Sequence, residues 1–226
     1  MDWLARIFPN VVTMPEDFLI ATGQTLYMVL VTAIISGILG LIIGITLVVT
    51  APGKLLENHL IYNLLDKLVN LFRSIPFVIL LAIISPLTRL IVGTSIGTTA
   101  AIVPLIIGVI PFYARQVQNV LLDVDGGIIE AAQSVGASPM SIILHVYLHE
   151  STAELIRASV VTLISVINLT AMAGAIGGGG LGNLAIIIGY DRFENDVIFV
   201  ALLIILAMVF LIQLIGDKLA KAVDHS

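Results

Sequence analysis

No charged residue lies between Asp17 and Lys54, and most of the residues between them are apolar. A helix rises 1.5 Å per residue, so about 20 apolar residues cross the hydrocarbon core of a bilayer. The segment is therefore long enough for one tilted transmembrane helix. Similar apolar runs recur along the chain, and they predict an all-α polytopic membrane protein.

Composition supports the same fold class. Of the 226 residues, 59% are hydrophobic and 11% are charged, whereas soluble domains carry about 25% charged residues. The net charge of −5 is spread over the loops, and no basic tract indicates a nucleic-acid partner. The sequence contains no cysteine, which excludes disulfides, thiolate metal sites and cysteine nucleophiles. Residues 1–17 lack the pattern of a signal peptide, so we expect the first span to remain in the mature protein.

Five spans are predicted within a single transmembrane domain, residues 1–226. They cover about residues 18–50, 60–87, 97–115, 154–176 and 197–216. The second is interpreted as one long helix that begins at or beyond the membrane surface and kinks at Pro76. Its polar half places Asp66, Asn70 and Arg73 on one face. That face is either the lining of a polar path or a solvated face with local ion pairs.

Small residues and prolines predict close packing around two of the spans. Ser36, Gly40 and Gly44 recur at every fourth position of the first span. This pattern lets another helix approach closely, either in the same subunit or in a second copy. Pro104 and Pro111 free backbone carbonyls in the third span, and neighbouring helices must satisfy these groups in lipid. We therefore expect the third span to be shielded inside the bundle.

The distribution of basic residues predicts the orientation in the membrane. With five spans, the two termini lie on opposite sides. The side that carries residues 123–150 holds Lys54, Lys67, Arg73, Arg115, Arg157, Lys218 and Lys221, and the other side holds Arg6, Arg89 and Arg192. Because basic residues favour the cytoplasmic side, the N-terminus is predicted outside, and the C-terminus and residues 123–150 in the cytoplasm.

Segment 123–150 is a long polar stretch between two apolar spans. Glu130 suits the first turn of a short helix, where the helix dipole favours a negative charge, and Gly136 is placed to end that helix. Ser138 and Pro139 are typical of the N-cap and first position of a second helix. The two alanines after Glu130 give the first helix a low profile that would fit a groove on a partner.

The fourth span carries small polar side chains on one helical face. Thr162, Ser165, Leu169 and Met172 follow at i, i+3, i+7 and i+10. If a polar solute crosses the protein, this is the face we expect to line its path. Met172 is equally compatible with a role in plain core packing.

Two further patterns resemble those of binding sites, but the sequence around them does not support a binding site. Gly177, Gly179 and Gly182 match the dinucleotide spacing G-x-G-x-x-G, yet no predicted strand precedes them, and Asn183 stands where a phosphate-binding loop requires lysine. We expect instead a flexible glycine-rich loop at the membrane boundary. A His145/His149 pair at i and i+4 allows a metal site, but a solvated or partner-facing pair is the expectation, and no metal site is predicted.

The polar segment carries a family resemblance. Glu130-Ala131-Ala132, three residues and then Gly136 resemble the EAA loop of bacterial ABC-importer permeases. Val146 and His149 depart from that pattern, which has isoleucine and proline at these positions. More widely, the chain is similar to methionine ABC transporter permeases. The matching segments are Phe72–Phe77, Ile91–Gly97, Ala100–Leu105, Gly136–Met140, Ala171-Met172 and Gly180–Gly182.

The resemblance implies a type I ABC importer permease fold in the bacterial inner membrane, with residues 123–150 as a cytoplasmic coupling loop. It implies a homodimer, two copies of a cytoplasmic ABC ATPase that bind ATP and Mg²⁺, and an extracytoplasmic methionine-binding protein. Met172 would narrow the translocation path. The residues that would couple to the ATPase are Glu130, Ala131, Ala132, Gly136, Ala137, Ser138 and Pro139.

Three other functions can be compared with the sequence. A permease for another amino acid or small solute would share the same mechanism. An intramembrane enzyme needs titratable groups that converge inside the spans, but the cores of the third, fourth and fifth spans have none, and the histidines at 59, 145, 149 and 225 fall in loops or ends. A channel would need a charged ring or a filter-like loop, and neither pattern is present.

Overall fold

The computed structural model describes residues 6–223, and within them the regular structure is entirely helical. The α-helices of at least four residues are α1 (Pro15–Thr50), α2 (His59–Ser74), α3 (Phe77–Val92), α4 (Thr98–Leu122), α5 (Gly126–Ser134), α6 (Pro139–Ile142), α7 (Thr152–Ala173), α8 (Gly180–Asn183) and α9 (Asn195–Val223). Short π-helical turns occupy Ile143–Tyr147, Gly174–Gly178 and Leu184–Tyr190. An all-α fold is thus confirmed.

Four helices of the described chain are long and apolar enough to cross a membrane: α1, α4, α7 extended to Gly178, and α9. The bent pair α2 and α3 makes a fifth candidate span. In its most apolar window α4 is 56% buried, against 33% for α1 and for α7 and 11% for α9. The prediction that the proline-containing third span is shielded is therefore confirmed.

The second predicted span is not one long helix, so that interpretation is wrong. Helix α2 ends at Ser74, α3 begins at Phe77, and the two helices are bent by 109°. Pro76 has an extended ψ of 133° and acts as the N-cap of α3. Since a proline pushes the preceding residue out of the helical region, Ile75 cannot continue α2. The helical conformation is therefore interrupted between Ser74 and Phe77.

The chain groups into two compact units. Unit 1 contains residues up to Ile34, Ile75–Ile107 and Leu163–Ile212, and unit 2 contains Ile35–Ser74, Gly108–Thr162 and the residues from Gln213 onwards. The core of unit 1 forms around Met28, Leu81, Ala101, Ile102, Leu105 and Ala173. Unit 2 has one core around Tyr113, Val117 and Tyr147, and another around Leu47, Val69 and Ala114.

Close packing of α1 against α4 explains the small-residue stripe of the first span. A Cβ atom added at Gly44 would lie 2.6 Å from Cβ of Val117, and one added at Gly40 would lie 2.9 Å from Cδ1 of Tyr113. Either position would therefore clash if it carried a side chain. The two glycines bring α1 and α4 together within one subunit, which is one of the two partners that the pattern allows.

Candidate functional site

Local signals of the sequence build the helix, stop and helix of segment 123–150. The Asp125 carboxylate caps α5 by accepting a hydrogen bond of 2.8 Å from the amide of Gly127. Gly136 ends that helix in a left-handed conformation with φ of +75°, which a residue without Cβ adopts easily. Ser138 then caps α6 through the amide of Ser141, and Pro139 occupies its first turn. The predicted helix–stop–helix arrangement is confirmed, but Glu130 does not lie in the first turn, because the helix already begins at Gly126.

The inner side of α5 is anchored in unit 2. Ile129 is buried in a core cluster with Tyr113 and Val117 of α4 and with Tyr147. Ala132 and Ala137 are half-buried against the same cluster. Tyr147 is also buried, and desolvation raises the pKa of its phenol, which stays neutral. Two of the predicted coupling residues, Ala132 and Ala137, thus pack towards the subunit itself.

The outer side of α5 and α6 presents a surface that we call the docking surface. It consists of the exposed residues Ile128, Glu130, Ala131, Val135, Gly136, Ser138, Pro139 and Met140. Val135 is 83% exposed and Met140 63% exposed, and both are apolar. Ile128, Ala131 and Val135 follow at i, i+3 and i+7, so helical periodicity in the sequence was the signal that could have identified Val135.

The core cluster that contains Ile129 lies between the docking surface and the helices α4 and α7. Ile129 contacts residues of α4, and the Tyr113 hydroxyl of α4 lies 2.8 Å from Oγ of Ser159 in α7. Aromatic and aliphatic side chains packed at core density transmit displacement because they leave little free volume. Helix α5 thus contacts α4, and α4 is hydrogen-bonded to α7.

The polar face of α2 contacts α4. Nη2 of Arg115 donates to Oδ1 of Asp66 at 2.6 Å and to Oδ1 of Asn70 at 2.9 Å. The same guanidinium also bonds Gln118, which is buried. Arg73 is exposed. One interpretation of this face, a solvated face with local ion pairs, agrees with the structure in part. An ion pair is present, but it joins α2 to α4 and is not local to α2. Helix α4 continues past Arg115, where the sequence predicted its end, as far as Leu122.

The four residues of the predicted transport face of α7 differ in their solvent exposure. Met172 is 40% exposed, whereas Thr162 is only 7% exposed and its hydroxyl donates to the carbonyl of Ala158 at 2.8 Å. Ser165 and Leu169 are half-buried. The accessible surface of α7 thus includes Met172, while Thr162 faces the subunit interior.

The glycine-rich segment is packed, so the prediction of a flexible loop is wrong. The amide of Gly180 donates to Oε1 of Gln24 at 2.7 Å, and the amide of Leu181 donates to Oγ1 of Thr25 at 2.9 Å. A Cβ atom added at Gly182 would lie 2.3 Å from the carbonyl oxygen of Ala171. The glycines allow backbone segments to pack closely, and no sequence pattern had indicated Gln24 as their partner.

The histidine pair forms no evident metal site. Nδ1 of His145 lies 3.2 Å from the carbonyl oxygen of Ser141. Within residues 6–223, no three histidine or acidic side chains are grouped closely enough to hold a metal ion. His225 lies outside the described residues.

These features define a class: a helical protein with several helices long and apolar enough to cross a membrane and a folded helix–turn–helix segment that carries exposed apolar side chains. Residues 38–226 match the family of binding-protein-dependent transport system inner membrane components, and the chain belongs to that family. It is accordingly a subunit of an inner-membrane transport system, not an enzyme.

Relatives and solved structures cover almost the whole chain. It is 46% identical over 207 residues to a probable D-methionine transport system permease protein of Vibrio cholerae, covering 92% of each chain. It is 45% identical to the methionine import system permease protein of Bacillus subtilis, covering 97% of this chain and 98% of the relative. A chain of the inward-facing MetNI methionine ABC transporter superposes with a TM-score of 0.92 at 42% identity, covering 94% of this chain and 99% of that chain. The predicted permease fold is thus confirmed.

Proposed function

We propose that this chain is the permease subunit of an ATP-driven importer of methionine, including D-methionine or methionine derivatives. The observation that carries the proposal is the 45% identity, over 97% of the chain, to a protein named as a methionine import permease. The subunit would work as a homodimer with two cytoplasmic ATPase subunits and an extracytoplasmic methionine-binding protein. ATP and Mg²⁺ would be bound by the ATPase chains.

Coupling would run through the docking surface. Closure of the ATPase pair on nucleotide would displace α5, whose inner side is fixed by Ile129 in the core of unit 2. The displacement would reach α4 directly and α7 through the bond between Tyr113 and Ser159. Movement of α7 would in turn carry the exposed Met172, which would alternately narrow and widen the path.

The orientation of the chain is supported by a contact within unit 1. The Asp196 carboxylate accepts hydrogen bonds of 2.9 Å from both the backbone amide and the side-chain amide of Asn10. The N-terminal segment and the start of α9 therefore lie at the same end of this unit. Together with the basic residues near segment 123–150, this arrangement supports an outside N-terminus and a cytoplasmic docking surface.

Transport by the reconstituted complex tests this proposal. The permease, its ATPase and its binding protein are placed in proteoliposomes, and ATP-dependent uptake of labelled methionine is measured. Unlabelled amino acids are added as competitors. We expect uptake that excess methionine abolishes and that glutamate, arginine and glycine leave unchanged. Uptake of labelled methionine that glutamate, arginine or glycine abolishes as effectively as methionine would refute selectivity for methionine, and an assembled complex without methionine uptake would refute methionine as its cargo.

A further inference from the structure

Asn168 is a polar residue exposed on a membrane-spanning helix. It lies in α7, more than two helical turns from either end of the candidate span Thr152–Gly178. Its side chain is exposed, whereas the hydroxyl-bearing residues Thr162 and Thr170 of the same helix are buried. The exposed surface of α7 therefore carries a primary amide deep inside the span.

The hydroxyl groups of α7 differ from this amide because they already have partners. Thr162 and Thr170 each donate to a carbonyl oxygen of the preceding turn, at 2.8 and 2.7 Å. Ser165 also has an interaction partner within the structure. The Asn168 amide, in contrast, forms no hydrogen bond with any residue that the structure describes. Its hydrogen-bonding groups are thus available to something outside this subunit.

Lipid is an unfavourable surrounding for the Asn168 side chain. The hydrocarbon core offers no hydrogen bond, so a polar group without a partner is costly there. A threonine avoids this cost by bonding to its own helix, but an asparagine amide has two donors and an acceptor to satisfy. Asn183 shows the usual solution, since it is half-buried and its amide donates to the carbonyl of Gly174 at 3.4 Å. Asn168 must therefore meet water, a solute or another protein chain.

The residues next to Asn168 favour water and a solute over another helix. Helices in membranes approach each other through small residues. The exposed neighbours of Asn168 along α7 are Met172, at 40% exposure, and Ile176, at 52% exposure, and both are large. Met172 follows at i+4 and so lies on the same helical face. This face therefore lacks the small-residue pattern of a close contact between helices.

We infer that Asn168 lines the aqueous path of the transported amino acid and that its amide hydrogen-bonds the charged groups of that solute. The inference rests on the proposed function. An amide can donate to a carboxylate and accept from an ammonium group. No charged residue lies between Arg157 and Asp191, so this part of the chain has no ionic partner for either group. The Met172 thioether, one turn away, would contact the apolar side chain of the solute.

Cysteine labelling tests whether this position faces water, and the absence of native cysteine makes the label specific within this chain. Asn168→Cys is made in the complete complex in lipid nanodiscs. Its modification by a charged, water-soluble thiosulfonate is timed without nucleotide and during ATP turnover. The control is Leu206→Cys, an apolar position of α9 that is 52% exposed. We expect Asn168→Cys to react at least tenfold faster than the control in one of the two states, and equal rates in both states would overturn the inference.

Two further variants test the hydrogen bond to the solute. Asn168→Leu keeps the branching of the side chain but has no polar atom, and Asn168→Gln keeps the amide. ATP-dependent methionine uptake should fall at least fivefold for Asn168→Leu and stay above half of the original rate for Asn168→Gln. Both variants should assemble with the ATPase and keep the unfolding temperature of the unsubstituted complex. Undiminished uptake by Asn168→Leu would overturn the contact with the solute.

Other surroundings of Asn168 give different labelling results. Modification of Asn168→Cys only by a lipid-soluble maleimide would place the residue in lipid. An oxidant-induced disulfide between two Asn168→Cys subunits, without modification by the charged reagent, would place it in a subunit contact. Either result overturns the inference alone, provided that the unsubstituted complex takes up methionine. Loss of that uptake contradicts the proposed function itself, whereas rapid labelling of Asn168→Cys would still show an aqueous position.

Discussion

Val135 offers a quantitative test of the docking surface. Val135 directly follows α5 and is 83% exposed, so most of its side chain is available for burial by a partner. Val135→Ala removes two methyl groups, and each buried methyl or methylene group contributes about 0.8 kcal/mol. The expected loss is about 1.6 kcal/mol. Because 1.4 kcal/mol is a tenfold change, the Kd for the ATPase subunit should rise about fifteenfold.

The measurement is a titration of the ATPase subunit onto the permease in lipid nanodiscs, with Kd determined by a surface-binding assay. Val12→Ala provides the matched control, since Val12 is 52% exposed but lies outside segment 123–150. The control should bind the ATPase like the unsubstituted chain, and both variants should keep the same unfolding temperature. An unchanged Kd for Val135→Ala would show that the partner does not bury this surface.

Three further substitutions test other parts of the structure. Gly44→Ala should lower stability by about 1–3 kcal/mol through overpacking against α4, measured as thermal unfolding in detergent, whereas Gly37→Ala, which has no atom within 4 Å, should not. Arg115→Gln should destabilise the protein by about 1–3 kcal/mol because it leaves Asp66 without its cation, and Arg73→Gln, an exposed change, should leave unfolding unaltered. Met172→Ala should alter the transport rate or leak without loss of dimer assembly, and equal loss of both would assign Met172 to the core.

Structural features that depend on residues close together in the sequence could be predicted. Long apolar runs fixed the helical class, and Gly136, Ser138 and Pro139 indicated where one short helix ends and the next begins. These signals succeed because they act on the backbone within one turn. The prediction made from Pro76 was correct in part. Its presence indicated a kink within one helix, whereas the chain leaves the helical conformation there and the two helices are bent by 109°.

Features set by distant residues could not be predicted. Arg115 pairs with Asp66, which lies 49 positions away, and the amide of Gly180 bonds Gln24, which lies 156 positions away. The pattern on α2 identified the polar face but not its partner. Similarly, Ala131 and Ala132 look equivalent in the sequence, and only the position of Tyr113 and Tyr147 decides that Ala132 faces inwards.

Gly136→Val tests whether the turn between α5 and α6 couples ATP hydrolysis to transport. Gly136 has φ of +75° with no atom near its missing Cβ, and Gly53 in the connection between α1 and α2 shares both properties, with φ of +71°. Valine is strained in this conformation, so each substitution distorts one turn without filling a core.

The measurement is the number of methionine molecules taken up per ATP hydrolysed by the reconstituted complex. Gly136→Val should assemble with the ATPase but lower this ratio at least tenfold, while Gly53→Val should retain the ratio of the unsubstituted complex. An unchanged ratio for an assembled Gly136→Val complex would contradict the coupling role of this loop.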